Sequence, residues 1–94
     1  MRKVEKQMLA AIKARKPMFG RNTMVTVTGD GERAQVYLHG NHIADYFYRS
    51  GVIEANTYTL ARWPSVTTKS RLRALGVNVY TKNRTTFLEG VAVN

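Results

Sequence analysis

The stretch that decides the fold is TMVTVTGDGERAQVYLHGNHIADYFY, residues 23–48. Residues 23–28 are mostly β-branched and stop at Gly29-Asp30-Gly31, whose glycines allow the positive φ angles of a hairpin tip. In residues 33–39 apolar and polar side chains alternate, which is the two-residue period of a half-buried strand. A second glycine turn leads to another apolar run, residues 42–48. The stretch therefore predicts three antiparallel strands joined by short turns.

Upstream of these strands, residues 2–16 show the period of an amphipathic helix. Val4, Met8 and Ile12 recur at every fourth position. The opposite face of this helix is basic and carries Arg2, Lys3, Lys6 and Lys13. Pro17 ends the helix, because a residue that precedes a proline avoids the α region. We expect one apolar face and one basic face.

Downstream, the pattern adds a fourth strand, a second helix and a last hairpin. The fourth strand is predicted at residues 56–60, after a turn that contains a glycine. Residues 67–75 are predicted to form a short helix, and residues 77–88 a hairpin. Residues 91–94 are expected to fray. The predicted order is α-β-β-β-β-α-β-β, an α+β fold in one domain that spans residues 1–94.

The strongest bulk property of the chain is its charge. Fifteen Lys and Arg face six Asp and Glu, which gives a net charge of +9 in 94 residues. This excess favours a polyanionic partner, although the charge could also serve solubility alone. The chain has no cysteine, which excludes disulfides and thiolate metal sites and fits a cytoplasmic protein. It has neither an apolar run of membrane-spanning length nor a signal peptide, so no membrane partner is expected.

Catalytic motifs are not found in the sequence. His39 and His42 flank a turn, but they have no third or fourth metal ligand at a recognisable spacing. The carboxylates are isolated along the chain, and the glycines do not form a phosphate-binding loop. We therefore expect no catalytic residue, no metal and no cofactor, and a protein that is not an enzyme.

The residues that suit a polyanion are concentrated between residues 65 and 84. The predicted second helix is basic, has hydroxyl side chains at its amino end, where an anion is favoured, and is followed by a basic hairpin tip. Tyrosines on the predicted sheet could stack on unpaired bases. The predicted nucleic-acid-binding residues are Lys69, Arg71, Arg73, Lys82, Arg84, Lys6, Lys13, Thr67, Thr68, Ser70, Tyr46 and Tyr48. The alternative is a structural helix with Leu72 and Leu75 in the core, and aromatic side chains that serve packing.

Two resemblances extend this interpretation. A basic helix followed by a basic hairpin resembles the recognition helix and wing of winged-helix DNA-binding proteins, although residues 56–60 look extended where that fold has a supporting helix. The strings YLHGNHIA (37–44), LARWP (60–64), TTKSRL (67–72) and YTKN (80–83) resemble a family of small tailed-bacteriophage proteins. That resemblance implies expression in the cytoplasm of an infected bacterium.

Three functions are compatible with these features. The leading hypothesis is a non-catalytic nucleic-acid-binding protein that contacts backbone phosphates. The alternative is an inhibitor or adaptor that binds an acidic surface of a host protein, such as a polymerase or a defence complex, since carboxylates attract the same lysines. The third is a structural or assembly protein of a virus particle. Exposed sheet edges also make a homo-oligomer possible.

Overall fold

The structure is a computed structural model that describes residues 1–93, and within them it contains three helices and eight strands. In chain order these are α1 (Lys3–Ala14), β1 (Met18–Gly20), β2 (Thr23–Val27), β3 (Arg33–Leu38), β4 (Asn41–Phe47), β5 (Val52–Ala55), α2 (Thr57–Arg62), α3 (Val66–Ala74), β6 (Val79–Lys82), β7 (Thr85–Leu88) and β8 (Val91–Val93). The predicted α+β class is confirmed. None of the helices in this part of the chain is long and apolar enough to cross a membrane.

The first five strands form one antiparallel meander, in the order β1-β2-β3-β4-β5. The sequence does not predict β1, because three residues that end in a glycine are too few to show a strand period. β1 nevertheless pairs with β2, with Met18 opposite Val25. A bulge shifts the register of β3 and β4, so Val36 pairs with Ala44 and Tyr37 with His42. Ile43 is the extra residue of this bulge, and both Ile43 and Ala44 are buried.

The helices cover one face of this sheet and form the core with it. Val25, Ala34 and Val36 lie on the covered face and are fully buried. The helices contribute Met8, Ile12, Leu60 and Leu72 to the same cluster. The alternation in residues 33–39 thus predicted the buried face of β3 correctly, because Ala34, Val36 and Leu38 all point inward.

The prediction of a strand at residues 56–60 is wrong. The side chain of Asn56 accepts a hydrogen bond from the Thr59 amide (3.1 Å), which caps α2. Leu60 then fills the core. The residues at 57–59 have high β propensity, but this cap and the burial of Leu60 outweigh that weak preference. The fourth strand of the predicted meander lies earlier, at Val52–Ala55.

The C-terminal strands form a second sheet, in the order β6-β7-β8. Residues 91–93, expected to fray, form β8 and pair with β7; Asn94 lies outside the described residues. Val79 is buried against the core beneath α3. Because side chains alternate along a strand, Tyr80 points to the opposite, outer face of this sheet.

The uncovered face of the five-stranded sheet carries a row of side chains that do not join the core. Phe19, Met24, Tyr37 and His42 lie opposite one another on β1, β2, β3 and β4. Phe19 is 76% exposed. Asp45 and Glu54 pair in the adjacent register on the same face. We call this surface the open face; it carries apolar side chains, two acids and Arg33, which is paired with Asp45 (3.9 Å).

Candidate nucleic-acid interface

The outer face of α1 and its carboxyl end form a strip of positive charge. Its six cations are Arg2, Lys3, Lys6, Lys13, Arg15 and Lys16, and all six are exposed. Glu5, the single acid of this helix, is buried. At a rise of 1.5 Å per residue, the strip is about 20 Å long. We call it the α1 strip; it is long enough to contact several phosphates.

Glu5 and Arg71 form a buried ion pair that joins α1 to α3. Arg71 Nη1 donates to Glu5 Oε2 (2.8 Å), and Arg71 Nε donates to Thr23 Oγ1 (2.9 Å) on β2. Glu5 also accepts hydrogen bonds from the Ser70 hydroxyl and the Arg2 amide. Burial alone would raise the pKa of Glu5, but these hydrogen bonds and the Arg71 charge together hold that pKa below its ordinary value of 4.5.

Acid is expected to destabilise the protein through Glu5. Because the folded-state pKa of Glu5 is depressed, its contribution to the free energy of unfolding is complete above the unfolded-state pKa near 4.5 and is lost as the pH falls through the folded-state pKa. The urea concentration at the unfolding midpoint should therefore decrease as the pH is lowered from 7 to 3. A Glu5→Gln variant should have a lower urea midpoint at pH 7, and this midpoint should decrease less as the pH is lowered to 3. An equal acid loss in that variant would contradict this role of Glu5.

Two basic residues of α3 lie inside the protein, although the sequence pattern predicts them on the surface. Arg71 is only 3% exposed, and Lys69 is buried with its ammonium group donating to the Thr81 hydroxyl of β6. Two hydroxyl groups of the predicted cradle make structural contacts, since Ser70 donates to Glu5 and Thr68 bonds within the cap of α3, whereas Thr67 is partly exposed and lines a cleft. Thr68 is buried and bonds Ser65, the residue that caps α3. The turn-by-turn packing of α3 against α1 and the two sheets explains why this face is not free.

The remaining basic residues of this region are exposed. Arg73 lies at the end of α3, where its Nε donates to the Val79 carbonyl (2.9 Å) at the start of β6. Lys82 ends β6 and Arg84 lies in the turn between β6 and β7, which we call the hairpin tip. Arg73 also lines a small cleft with Met1 of the α1 end, so it lies between the α1 strip and the hairpin. Of the twelve predicted binding residues, these three, Lys6 and Lys13 are exposed.

The outer face of the second sheet carries a stacked aromatic pair. The rings of Tyr80 and Phe87 are 5.3 Å apart and nearly parallel, at 9°. Tyr80 is partly exposed and lies two residues before Lys82 on β6, so both side chains lie on the same face. This surface combines an aromatic platform with a cation, which suits unpaired bases and their phosphates.

The tyrosines predicted to stack on bases lie on the covered face of the sheet instead. Tyr46 pairs with the buried Ala34, and its ring meets that of Tyr48 edge-on at 5.0 Å. The Tyr48 hydroxyl donates to the Ile12 carbonyl (2.6 Å), and the Arg15 guanidinium lies 4.2 Å above the Tyr48 ring. Burial raises the pKa of Tyr48, although the Arg15 charge opposes this shift. Tyr48 thus attaches α1 to the sheet, and Tyr46 packs against Tyr48.

The order of elements around α3 is closer to a winged helix than the sequence predicts. α2 lies immediately upstream of α3, where residues 56–60 were expected to be extended, and the β6–β7 hairpin follows. The likeness is one of order only. Since Lys69 and Arg71 are buried, α3 does not present the basic side chains of a recognition helix.

His42 has a structural role at the start of α2, whereas His39 is exposed. His42 Nε2 contacts Asp45 Oδ1 (2.8 Å), and the Asn56 amide group lies 3.3 Å from His42 Nδ1. The same Asn56 caps α2, so His42 helps to hold the start of that helix. Within residues 1–93, no three His, Cys, Asp or Glu side chains are grouped as metal ligands.

Two further exposed residues lie outside the set of predicted binding residues. Trp63 is 54% exposed and lines a cleft of about 700 Å³ that Arg62 and His39 also line. Arg21 lies in the turn between β1 and β2, beside the amino end of α1. Its position depends on β1, which the sequence pattern does not reveal.

Comparisons with known proteins identify the family of this chain. No curated protein and no solved structure matches it significantly. A family model for the Kyanoviridae Gp96 protein matches residues 1–94, the full length given. The resemblance to small phage proteins is therefore confirmed, and the chain belongs to the Kyanoviridae Gp96 protein family, a family of phage proteins.

Proposed function

We propose that this phage protein binds nucleic acid without catalysing a reaction. The α1 strip and the hairpin tip contact backbone phosphates, and Arg73 lies between them. Such contacts contribute most to affinity when the partner is a phosphate backbone, because each neutralised phosphate releases condensed counterions.

One observation carries this proposal: the exposed cations are unpaired. Among residues 1–93, the carboxylate partners of Lys and Arg are confined to Arg33–Asp45 and Arg71–Glu5. The other thirteen Lys and Arg have no carboxylate within 4 Å in this part of the chain, and all of them except Lys69 are exposed. A small protein that leaves so much charge unpaired keeps a positive potential available to a polyanion.

The exposed acids occupy other places. Asp30 and Glu32 lie in the turn between β2 and β3, and the exposed Glu54 and the partly buried Asp45 lie on the open face. Glu89 lies in the turn between β7 and β8, where it accepts a hydrogen bond from the Asn78 amide. The remaining acid of α1, Glu5, is neutralised by its buried partner. A strand that follows the amino half of α1 toward the hairpin tip therefore meets cations, while Tyr80 and Phe87 offer a stacking surface for bases.

Binding should depend steeply on salt. If four to six phosphates are contacted, the slope of log affinity against log salt is about −3 to −5, from roughly −0.7 to −0.9 per phosphate. Fluorescence anisotropy with single- and double-stranded DNA and RNA at several salt concentrations measures this slope, and a preference for single strands would support the role of Tyr80 and Phe87. An affinity that barely changes with salt would contradict phosphate binding.

The competing function, docking on an acidic host protein, is separated by a nuclease experiment. Tagged protein is recovered from lysate of the bacterial host with and without nuclease treatment. Under our proposal, nuclease removes the co-purifying material, which is nucleic acid. Retention of one host protein at constant stoichiometry after nuclease would favour the inhibitor or adaptor instead.

A further inference from the structure

A small cleft at the amino end of α1 is lined almost entirely by cations. Its volume is about 240 Å³, and its lining residues are Arg2, Lys3, Val4, Arg21 and Arg71. Four positive side chains converge there on one side of the molecule. Like charges at this density repel one another, so the arrangement is unfavourable unless a negative group offsets it.

The protein itself supplies one carboxylate beside this cleft, and that carboxylate is occupied. Both oxygens of Glu5 accept hydrogen bonds, from Arg71, Ser70 and the Arg2 amide. Within residues 1–93, Arg2, Lys3 and Arg21 have no ion-pair partner. Three positive charges therefore remain without compensation at the cleft.

Arg71 gives the cleft a fixed floor. It is 97% buried, and its Nε and Nη1 are held by Thr23 and Glu5. Neither bond uses Nη2. Among the described residues, no fully buried side-chain nitrogen lacks a hydrogen-bond partner, so Nη2 is left in contact with solvent where Arg71 lines the cleft. A donor that is oriented before a ligand arrives loses little side-chain entropy when it binds.

The backbone of α1 adds to the same site. The amides of Lys3 and Val4 belong to the first turn of the helix, whose N–H groups have no acceptor within the helix. The Arg2 amide is already capped by Glu5. The positive end of the helix dipole and two free amides thus meet the cationic side chains, which is the combination that favours a tetrahedral oxyanion.

We propose that this cleft binds one phosphate group of a nucleic-acid strand. The proposal rests on the nucleic-acid-binding function and adds a defined site to it. Arg71 Nη2 donates from the floor, the Lys3 and Val4 amides donate from the helix end, and Arg2 and Arg21 close the two sides as bidentate donors. The other cations of the α1 strip, Arg73 and the hairpin tip hold neighbouring phosphates by charge alone.

Inorganic phosphate is the probe that tests this site. In a titration at constant ionic strength, ¹⁵N–¹H spectra should show saturable shifts centred on the Lys3 and Val4 amides and the Arg71 Nε–H, with smaller shifts elsewhere. Equal shifts at all basic residues, or the same shifts with chloride, would overturn the proposal.

Arg21→Asn is the informative variant, because Arg21 has a φ of 50° and asparagine tolerates this left-handed conformation. Loss of one charge-assisted bidentate contact should weaken phosphate binding about tenfold. Arg49→Asn makes the same charge change at an exposed arginine outside the cleft and should stay within about twofold of the wild type. Equal affinities of the two variants would exclude Arg21, and with it the cleft, as the binding site.

Oligonucleotide binding separates this proposal from the broader function. If phosphate ignores the cleft while oligonucleotides still bind with a steep salt slope, the site is overturned and nucleic-acid binding stands. If phosphate occupies the cleft but oligonucleotides do not bind, the site stands and the nucleic-acid function is overturned. A comparison of a 5′-phosphorylated trinucleotide with its 5′-hydroxyl form shows whether the bound phosphate is terminal or internal. Protection of the Lys3 amide from hydrogen exchange by either trinucleotide supports the site.

Discussion

Replacing Arg71 with methionine is expected to lower the free energy of unfolding by about 3–5 kcal/mol at pH 7, because Glu5 is left as a buried carboxylate without its cation. The substitution also removes the hydrogen bond to Thr23, so three elements lose a common contact. A domain of this size has a total stability on the order of 5–15 kcal/mol. Urea unfolding followed by circular dichroism measures the loss.

The pH dependence of this variant identifies the cause. Without Arg71, burial dominates and the pKa of Glu5 should rise, so the penalty shrinks as the pH falls and Glu5 takes up a proton. Arg73→Met is the matched control: it removes an exposed arginine of the same helix and should cost about 0.5–1.5 kcal/mol through its bond to the Val79 carbonyl. A Glu5→Leu/Arg71→Met double variant should recover most of the loss. If Arg71→Met is as stable as Arg73→Met, the pair is not structural.

The buried pair shows how far the sequence could have led. In α1, Glu5 lies three residues before Met8, on the apolar face of the helix. Arg71 lies four residues before Leu75, so the two share a face of this helical segment. One acid and one base on the apolar faces of two helices are the signal of a buried ion pair. The number of charges in α3 does not show which face of the helix carries them. For this reason Arg71 was wrongly predicted to lie on the surface.

Other features depend on tertiary structure that local patterns do not contain. The strands between residues 23 and 48 were predictable because their alternation is set by one buried face. α2 was not, since its local β propensity is overcome by the Asn56 cap and the burial of Leu60. The bulge at Ile43 and the inward side of Tyr46 depend on register, which one strand alone does not reveal.

Reversing one charge in each half of the proposed surface should reduce nucleic-acid affinity about 100-fold at 0.1 M salt. Lys6 lies on the α1 strip and Lys82 beside the hairpin tip, and both are exposed. At this salt each phosphate contact contributes roughly a factor of six, and a glutamate adds repulsion in place of attraction. A Lys6→Glu/Lys82→Glu variant should also show a salt slope shallower by about 1.4 to 1.8, since two phosphate contacts are lost.

The control for this variant has the same net charge. Arg49→Glu/Arg62→Glu reverses two exposed arginines outside the proposed surface, so it weakens the long-range potential but removes no phosphate contact. Its affinity should fall only several-fold, with an unchanged slope. If one strand contacts both halves of the surface, the single variants Lys6→Glu and Lys82→Glu should each lose about half of the binding free energy that the double variant loses. The reason is that the effects of distant contacts are additive. Equal losses in the two double variants would mean that net charge, rather than this surface, binds the nucleic acid.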